Sequence, residues 1–267
     1  DRGVFLWPRA SAIIEPVSES PSAANYAVVL VRPDSPENIG LAARGMANTG
    51  FTDLRVVGLD RFEPAAWRTA IHAESIIESA RFHGSLEAAV ADRDLVLGST
   101  ARVRHDFPLV ALPEAVGRIR EYPAGTRVAF VFGNERTGLT REELGLANIR
   151  FRIAQAARQP SYNLGVAVTL TLHAVAFGGG PPPASRRCLP LSHEEQAEAG
   201  RRFRAMLASL GFMHETNRAF ISEKVEDIFF RMALSAKDRD IILAMFRKAL
   251  EGPPERKPRP KHVKERS

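Results

Sequence analysis

Cysteine and long apolar runs are both scarce in this sequence. A single cysteine among 267 residues, Cys188, excludes a disulfide framework and a cysteine-based zinc site. The most apolar stretch, Leu164–Phe177, is interrupted by polar residues and falls short of the roughly 18 unbroken apolar residues of a membrane span. The histidines show no metal-ligand spacing. We therefore expect a cytoplasmic protein with no membrane segment and no metal requirement.

Lysine is absent from residues 27–177, where 17 arginines stand beside 16 acidic residues. Arginine suits bidentate phosphate recognition, but genomic codon bias explains the same composition, so no function follows from it. Much of the net charge of +6 comes from residues 255–267, with 6 bases and 2 acids. We expect residues 253–267 to be a disordered basic tail that either gathers phosphates by counterion release or only raises solubility.

Apolar strand patterns alternate with helical patterns between residues 26 and 177. The strands are predicted at 27–31, 54–57, 95–97, 128–132 and 149–153. Helical patterns occur at 35–50, 65–79, 86–91, 113–121, 140–144 and 161–177. This alternation is typical of an α/β fold, a parallel sheet with helices on both faces. Ser35 and Ser161 suit the N-caps of the first and last of these helices, and Gly50 suits the C-cap of the first.

A run of glycine and proline at residues 178–183 marks the clearest domain boundary. We expect a flexible N-terminal extension at 1–25, the α/β domain at 26–177, a linker at 178–190 and a small all-α C-terminal domain at 191–252. Apolar residues recur at helical spacing in the last segment, which predicts two or three amphipathic helices. Because so short a segment has a marginal core alone, we expect it to pack on the first domain or on a second copy.

Two common nucleotide-binding motifs are missing. The turn after the first strand has no glycine before Gly40, which excludes the dinucleotide fingerprint, and no P-loop is present. Small and polar residues instead follow later strands, at residues 98–102, 133–138 and 159–164. Each is explained alone by an ordinary strand-to-helix turn. Because ligands of open α/β sheets bind beyond the carboxyl ends of strands, we expect the three together to line one pocket.

Three short motifs resemble a known family. Residues 38–44 read Asn-Ile-Gly-x-x-x-Arg, residues 133–139 read Gly-Asn-Glu-x-x-Gly-Leu, and residues 161–168 read Ser-Tyr-Asn-Leu-x-x-Ala-Val. In this order they resemble the motifs of the SPOUT-class (SpoU/TrmH superfamily) RNA ribose 2′-O-methyltransferases, and most closely the TrmJ-type tRNA enzymes. The resemblance covers roughly residues 27–250. It implies a homodimer and a C-terminal deep trefoil knot in the α/β domain, which general folding rules exclude by default.

The resemblance also implies a cofactor and a substrate. The methyl donor is S-adenosylmethionine, the product is S-adenosylhomocysteine, and the substrate is tRNA, methylated on C or U at the first nucleotide of the anticodon loop. The implied donor-binding residues are Ser99, Thr100, Ala101, Gly133, Glu135, Ile153, Pro160, Ser161 and Tyr162. Tyr162 stands where relatives often carry an aliphatic residue, which leaves the shape of the adenine pocket open. Two alternatives remain. The enzyme acts on ribosomal RNA instead of tRNA, or the protein has lost catalysis and serves in RNA binding or assembly.

The implied catalytic residues are Arg44, Asn38, Ser161 and Asn163. Ribose methylation needs alignment of the two reactants and removal of a weakly acidic proton. Because the pKa of an arginine is above about 12, Arg44 either acts with a neighbouring RNA phosphate or stabilises the developing alkoxide. Asn38 positions the ribose or caps the helix, and Ser161 and Asn163 orient the hydroxyl or stabilise the turn. Glu135 is expected to bond loop amides or to act near Asn38.

Overall fold

The computed structural model describes residues 23–102, 108–156, 161–178 and 187–251. Most of the expected N-terminal extension and of the 178–190 linker therefore lies outside the described residues. Pro160 and the basic tail at 253–267 lie outside them as well. The predictions for these segments remain predictions.

Within the described residues, seven parallel strands form one sheet. They are β1 (Tyr26–Val31), β2 (Asp53–Val57), β3 (Arg81–His83), β4 (Leu95–Ser99), β5 (Leu109–Ala111), β6 (Val128–Phe132) and β7 (Ile149–Arg152). Their order is β3-β2-β1-β6-β4-β7-β5, with every neighbouring pair parallel. The five predicted strands are confirmed. The edge strands β3 and β5 were missed because three residues are too few to show a pattern.

Helices connect the strands. They are α1 (Pro36–Thr49), α2 (Pro64–Thr69), α3 (Glu74–Glu78), α4 (Leu86–Val90), α5 (Leu112–Ile119), α6 (Arg141–Gly145) and α7 (Leu164–Phe177). The prediction of a single helix at 65–79 is wrong. Two short helices, α2 and α3, occupy this segment, because the chain turns between them at His72, whose φ of 62° is left-handed.

The ends of α1 and α7 test the predicted caps. The Ser35 hydroxyl accepts a hydrogen bond from the backbone N–H of Asn38 and caps the start of α1, as predicted. Gly50, with a φ of 83°, ends the helix, also as predicted. The prediction that Ser161 caps α7 is wrong. Asn163 caps it instead, because its Oδ1 accepts bonds from the backbone N–H groups of the first turn.

The two faces of the sheet carry separate apolar cores. Alternate side chains of β1 point to opposite faces. Val28 and Leu30 join the larger core with α1, α5 and α7. Val29 and Val31 join the smaller core with α4 and α6. The predicted parallel sheet with helices on both faces is confirmed.

Three further helices follow the sheet domain: α8 (His193–Ser209), α9 (Arg218–Met232) and α10 (Ala236–Glu251). Their number agrees with the predicted two or three. They share a small apolar core that includes Val225 and Phe229. Buried side chains also join them to the sheet domain: Asn148 Nδ2 donates to Gln196 Oε1 over 3.0 Å, and Gln196 Nε2 donates to the Asp94 carbonyl over 3.0 Å. They therefore pack on the sheet domain, one of the two expected arrangements.

Among the described helices, none combines the length and the apolar composition that a membrane crossing requires.

Candidate functional site

A cavity of about 420 Å³ lies at the carboxyl ends of β4, β6 and β7. The loop after β4 lines one side, the loop after β6 a second side, and residues on either side of the 157–160 segment the third. The three late polar loops thus meet around a single space, as the sequence predicted. Such a volume is typical of a small-molecule site.

All the predicted donor-binding residues within the described part of the chain line this cavity. They are Ser99, Thr100, Ala101, Gly133, Glu135, Ile153, Ser161 and Tyr162. The sequence assigned no donor-binding role to Phe132, Leu139 and Leu164, which add apolar surface to the wall. Leu139 and Leu164 belong to the second and third motifs, and Phe132 ends β6 directly before the second motif.

Close backbone contact shapes the loop between Gly133 and Leu139. A Cβ atom on Gly133 would lie 2.3 Å from the carbonyl carbon of Gly138 and 2.3 Å from the nitrogen of Leu139. The loop folds back on itself, since the Gly138 N–H donates to the Asn134 carbonyl over 2.8 Å. Asn134 Oδ1 also accepts the backbone N–H of Arg136 at 2.9 Å. This wall of the cavity is therefore already folded and leaves no room for a side chain at Gly133.

The Glu135 carboxylate ties this loop to the start of α1. It accepts hydrogen bonds from the backbone N–H groups of Asp34 at 2.8 Å and Ser35 at 3.2 Å, and from Asn38 Nδ2 at 2.7 Å. Burial raises the pKa of Glu135, but these hydrogen bonds outweigh it and hold the pKa below its ordinary value. Glu135 is thus a carboxylate at neutral pH, and both of its expected contacts, with loop amides and with Asn38, are present.

Two asparagines extend this connection to the third motif. Asn163 Nδ2 donates to Asn38 Oδ1 over 2.6 Å, while Asn163 Oδ1 caps α7. Asn38 does not cap α1, because it is the third residue of that helix and Ser35 holds the cap position. One chain of hydrogen bonds, from Glu135 through Asn38 to Asn163, therefore joins all three motifs beside the cavity.

Ser161 and Tyr162 both lie at the cavity wall, and the Tyr162 side chain is held there by a hydrogen bond. Both side chains are exposed, and the Tyr162 hydroxyl donates to the Ala154 carbonyl over 3.0 Å. This bond connects the segment before α7 to the segment after β7. The Tyr162 side chain is consequently held at the cavity wall, which Ser161 also lines.

Neither predicted catalytic residue of the first motif lines the cavity. Asn38 is hydrogen-bonded to Glu135 and Asn163, whereas Arg44 lies apart from the other motifs. It is exposed on α1 and is absent from the lining residues, while Ala43 and Met46 of the same helix face the core. In the described part of the chain, its guanidinium makes no hydrogen bond or ion pair. Arg44 follows Asn38 by six residues, so at 3.6 residues per turn the two side chains point about 120° apart on the helix.

Exposed apolar side chains lie on the same outer surface of α1 and α7. On α7, Val166, Leu170 and Phe177 are 44%, 38% and 47% exposed, and they recur at a spacing that puts them on one face. Leu41 of α1, 37% exposed, lies beside Gly165 at the start of α7. Together these four residues form the α1–α7 stripe. A contiguous apolar surface of this kind marks an interaction site.

Few charged groups surround the cavity itself. Arg102 and Arg136 line it together with Glu135, and Arg136 forms a mostly exposed ion pair with Asp34. Across the residues described, no cluster of three or more histidine, cysteine, aspartate or glutamate side chains is arranged to hold a metal ion. The wall is therefore made of backbone, small and apolar groups with a basic rim.

Comparison with known proteins adds independent findings. The profile described as the SpoU rRNA methylase family matches residues 25–173. The uncharacterized tRNA/rRNA methyltransferase LasT of Escherichia coli K12 is 38% identical over 152 residues, which cover 56% of this chain and 67% of LasT. The tRNA (cytidine/uridine-2′-O-)-methyltransferase TrmJ of the same strain is 29% identical over 227 residues, covering 82% of this chain and 92% of TrmJ. The crystal structure of TrmJ from Z. mobilis ZM4 has a TM-score of 0.72 at 27% identity and covers 85% of this chain and 99% of that one.

Proposed function

The chain belongs to the SpoU rRNA methylase family, and from this membership we propose that it is an S-adenosylmethionine-dependent tRNA ribose 2′-O-methyltransferase. The observation that carries the proposal is the meeting of the three motifs. The second and third motifs line one cavity, and Asn38 of the first motif is joined to them by hydrogen bonds with Glu135 and Asn163. The similarity to TrmJ, which spans most of both chains, favours tRNA as the substrate.

The cavity suits S-adenosylmethionine in size and in lining. Its volume of about 420 Å³ is in the range of cofactor sites. At Gly133 the backbone of Gly138 and Leu139 fills the place of a side chain, so the cavity wall here is built of backbone groups, which suit hydrogen bonds to an adenosine. We assign the donor to Ser99–Ala101, Gly133, Ile153 and the 160–162 segment, with Glu135 shaping the pocket through the turn before α1. When bound, the donor supplies a methyl carbon activated by its sulfonium.

The protein contributes alignment and electrostatics to the reaction. Ser161 lines the cavity and is free to orient a ribose hydroxyl, while Asn38 and Asn163 fix the motifs around it. Arg44 stabilises the alkoxide that develops as the hydroxyl loses its proton. A permanently charged guanidinium suits this role better than that of a proton acceptor. No step requires a metal ion.

Arg44 reaches a reaction centre through dimerisation in this proposal. It shares the outer surface of α1 with the α1–α7 stripe, so a second copy that covers the stripe also meets Arg44. Burial of four large apolar side chains stabilises such a contact, at about 25 cal/mol per Å² of apolar surface. We therefore propose a homodimer whose cavity is completed by Arg44 of the partner.

The proposal extends to the backbone topology, to the C-terminal helices and to the location of the enzyme. We propose a deep trefoil knot around the loops at 133–139 and 153–163, which membership of the SpoU rRNA methylase family supports. Helices α8 to α10 form an all-α domain that assists dimerisation and tRNA binding. The enzyme acts in the cytoplasm, where its substrate is.

The nucleotide methylated is C or U at the first position of the anticodon loop in our proposal. The base choice follows the name of TrmJ, a cytidine/uridine enzyme. Ribosomal RNA is the second candidate, because the family description names rRNA and LasT is described as a tRNA/rRNA methyltransferase.

Ribose-methylation mapping in a deletion strain tests the proposal. We expect the loss of one 2′-O-methyl group in tRNA, restored by the wild-type gene but not by the Arg44→Ala variant. Loss confined to ribosomal RNA contradicts the tRNA assignment. An unchanged methylation map contradicts the proposal as a whole.

A further inference from the structure

A buried ion pair joins strand β7 to helix α9. The side chains of Arg150 and Asp227 are only 1% and 9% exposed, and Arg150 Nη2 lies 2.6 Å from Asp227 Oδ1. The second oxygen of Asp227 accepts a bond from Arg231 Nε at 2.8 Å. Arg150 points away from the larger core, to which its neighbours Ile149 and Phe151 belong. A buried guanidinium is stable only beside an opposite charge. The Asp227 carboxylate therefore holds the Arg150 side chain in this position.

The same guanidinium holds the end of α6. Arg150 Nε donates to the Leu144 carbonyl at 2.8 Å, and Nη2 donates to the Gly145 carbonyl at 3.2 Å. Carbonyls in the last turn of a helix lack partners within the helix and carry partial negative charge. Arg150 satisfies two of them, so it fixes the end of α6 against β7.

The start of α6 is fixed to the loop that follows β1. Thr140 caps the helix in a reciprocal pair with Glu143. Glu143 also forms a two-point ion pair with Arg32, which follows β1, and one of its bonds measures 2.9 Å. Arg32 itself has a left-handed φ of 49°, a backbone conformation that needs support from its surroundings. Helix α6 is thus held at both ends.

The cavity loop, residues 133–139, continues directly into this helix. Leu139 lines the cavity and packs in the same apolar core as Leu144 of α6. Only Thr140, the cap residue, separates the loop from α6. Because the loop and the helix are directly connected, a displacement of α6 also displaces the cavity wall.

We infer that Asp227 is a positioning residue: by holding Arg150 it fixes α6 and the cavity loop, so that helix α9 controls the shape of the cavity. The C-terminal helices then have a role in addition to dimerisation and RNA binding. The inference rests on the proposed function only for its consequence in donor binding. Its structural consequence is measurable without any ligand.

Three variants test the inference. Asp227→Asn removes the charge and keeps the shape. Glu223→Gln is the matched control, because it breaks the exposed pair between Glu223 Oε1 and Arg141 Nε, 2.8 Å long, which joins the same two helices. The double variant Arg150→Met with Asp227→Leu leaves no unpaired buried charge, which protects the fold while it removes the bonds to α6.

Amide hydrogen exchange is the first measurement. We expect residues 133–145 to exchange about tenfold faster in Asp227→Asn and in the double variant, with β1 and β6 protected as in the wild type. Glu223→Gln exchanges like the wild type. If the double variant shows unchanged exchange at 133–145, the inference is overturned. Equal acceleration in β1 and β6 also overturns it, because the pair then serves general stability.

Titration with S-adenosylhomocysteine is the second measurement. We expect Kd to rise at least about fivefold in the double variant and to stay unchanged in Glu223→Gln. A wild-type affinity in the double variant contradicts the inference. If the wild-type protein itself does not bind S-adenosylhomocysteine, the proposed function fails, and the exchange measurement alone decides the role of Asp227.

Discussion

Replacement of Gly133 by alanine tests the close backbone approach that shapes the cavity. The added Cβ would lie 2.3 Å from the Gly138 carbonyl carbon and from the Leu139 nitrogen, and 2.7 Å from the Gly138 oxygen. Ordinary contacts between such atoms are about 3.5–4.0 Å. Because the opposing atoms belong to the backbone, rotation of a side chain cannot relieve the clash, and the loop itself has to move.

The expected cost follows from this geometry. Overpacking of a tightly packed site costs about 1–3 kcal/mol, and a backbone clash of this depth belongs at the upper end. At about 2–4 °C per kcal/mol for a domain of this size, Gly133→Ala should lower Tm by roughly 6–12 °C. The displaced loop should also weaken donor binding at least about tenfold.

Two glycines provide matched controls for this substitution. A Cβ at Gly138 meets no atom within 4 Å, but the φ of 69° strains any other residue, so Gly138→Ala should cost about 1–2 kcal/mol. Gly125 has open space around it and an ordinary φ, so Gly125→Ala should be neutral. Calorimetric unfolding and titration with S-adenosylhomocysteine measure both effects. If Gly133→Ala melts and binds like Gly125→Ala, the reasoning about this loop is refuted.

Three further predictions concern His193, Asn163 and Arg44. Burial lowers the pKa of His193 to about 4, so the unfolded state alone takes up a proton between pH 6.5 and 4. On acidification through that range, the wild type should lose up to about 3 kcal/mol more stability in urea unfolding than His193→Gln, and equal losses would disprove the assignment. Asn163→Ala should lower the free energy of unfolding in urea by about 1–2 kcal/mol, because it removes the α7 cap and the bond to Asn38 Oδ1, and an unchanged value would speak against both roles. Arg44→Ala and Arg44→Lys should each reduce methyl transfer at least about 100-fold with unchanged Tm, and near-normal transfer in both removes Arg44 from the mechanism.

The sequence predicted the sheet and the pocket because both follow from local rules. Buried strands read as continuous apolar runs, and parallel strands bring their carboxyl ends to one edge, so the loops at 98–102, 133–138 and 159–164 had to meet. The edge strands were too short for such a pattern. Ser161 and Asn163 are both suitable N-cap residues and lie only two positions apart. The sequence alone therefore did not show that Asn163 is the residue that caps α7.

Contacts between distant residues were beyond these rules. The bond from Asn38 to Glu135 spans 97 residues, and the sequence offered it only as one of two alternatives for Glu135. Asn148, Arg150 and Asp227 are polar but buried, because Arg150 pairs with Asp227 and Asn148 donates to Gln196 and to the Phe230 carbonyl. The outward direction of Arg44 depends on which face of α1 the sheet covers, which periodicity indicates only approximately.

The most direct test of the central claim is methyl transfer from tritium-labelled S-adenosylmethionine to an unmodified tRNA transcript, followed by alkaline hydrolysis. A 2′-O-methyl group protects the adjacent phosphodiester from alkali, so the location of the label reports the atom modified. The account predicts that the label appears in one alkali-resistant dinucleotide that begins with C or U, and that Arg44→Ala abolishes it. Label on a mononucleotide base, or no transfer to tRNA, would contradict it.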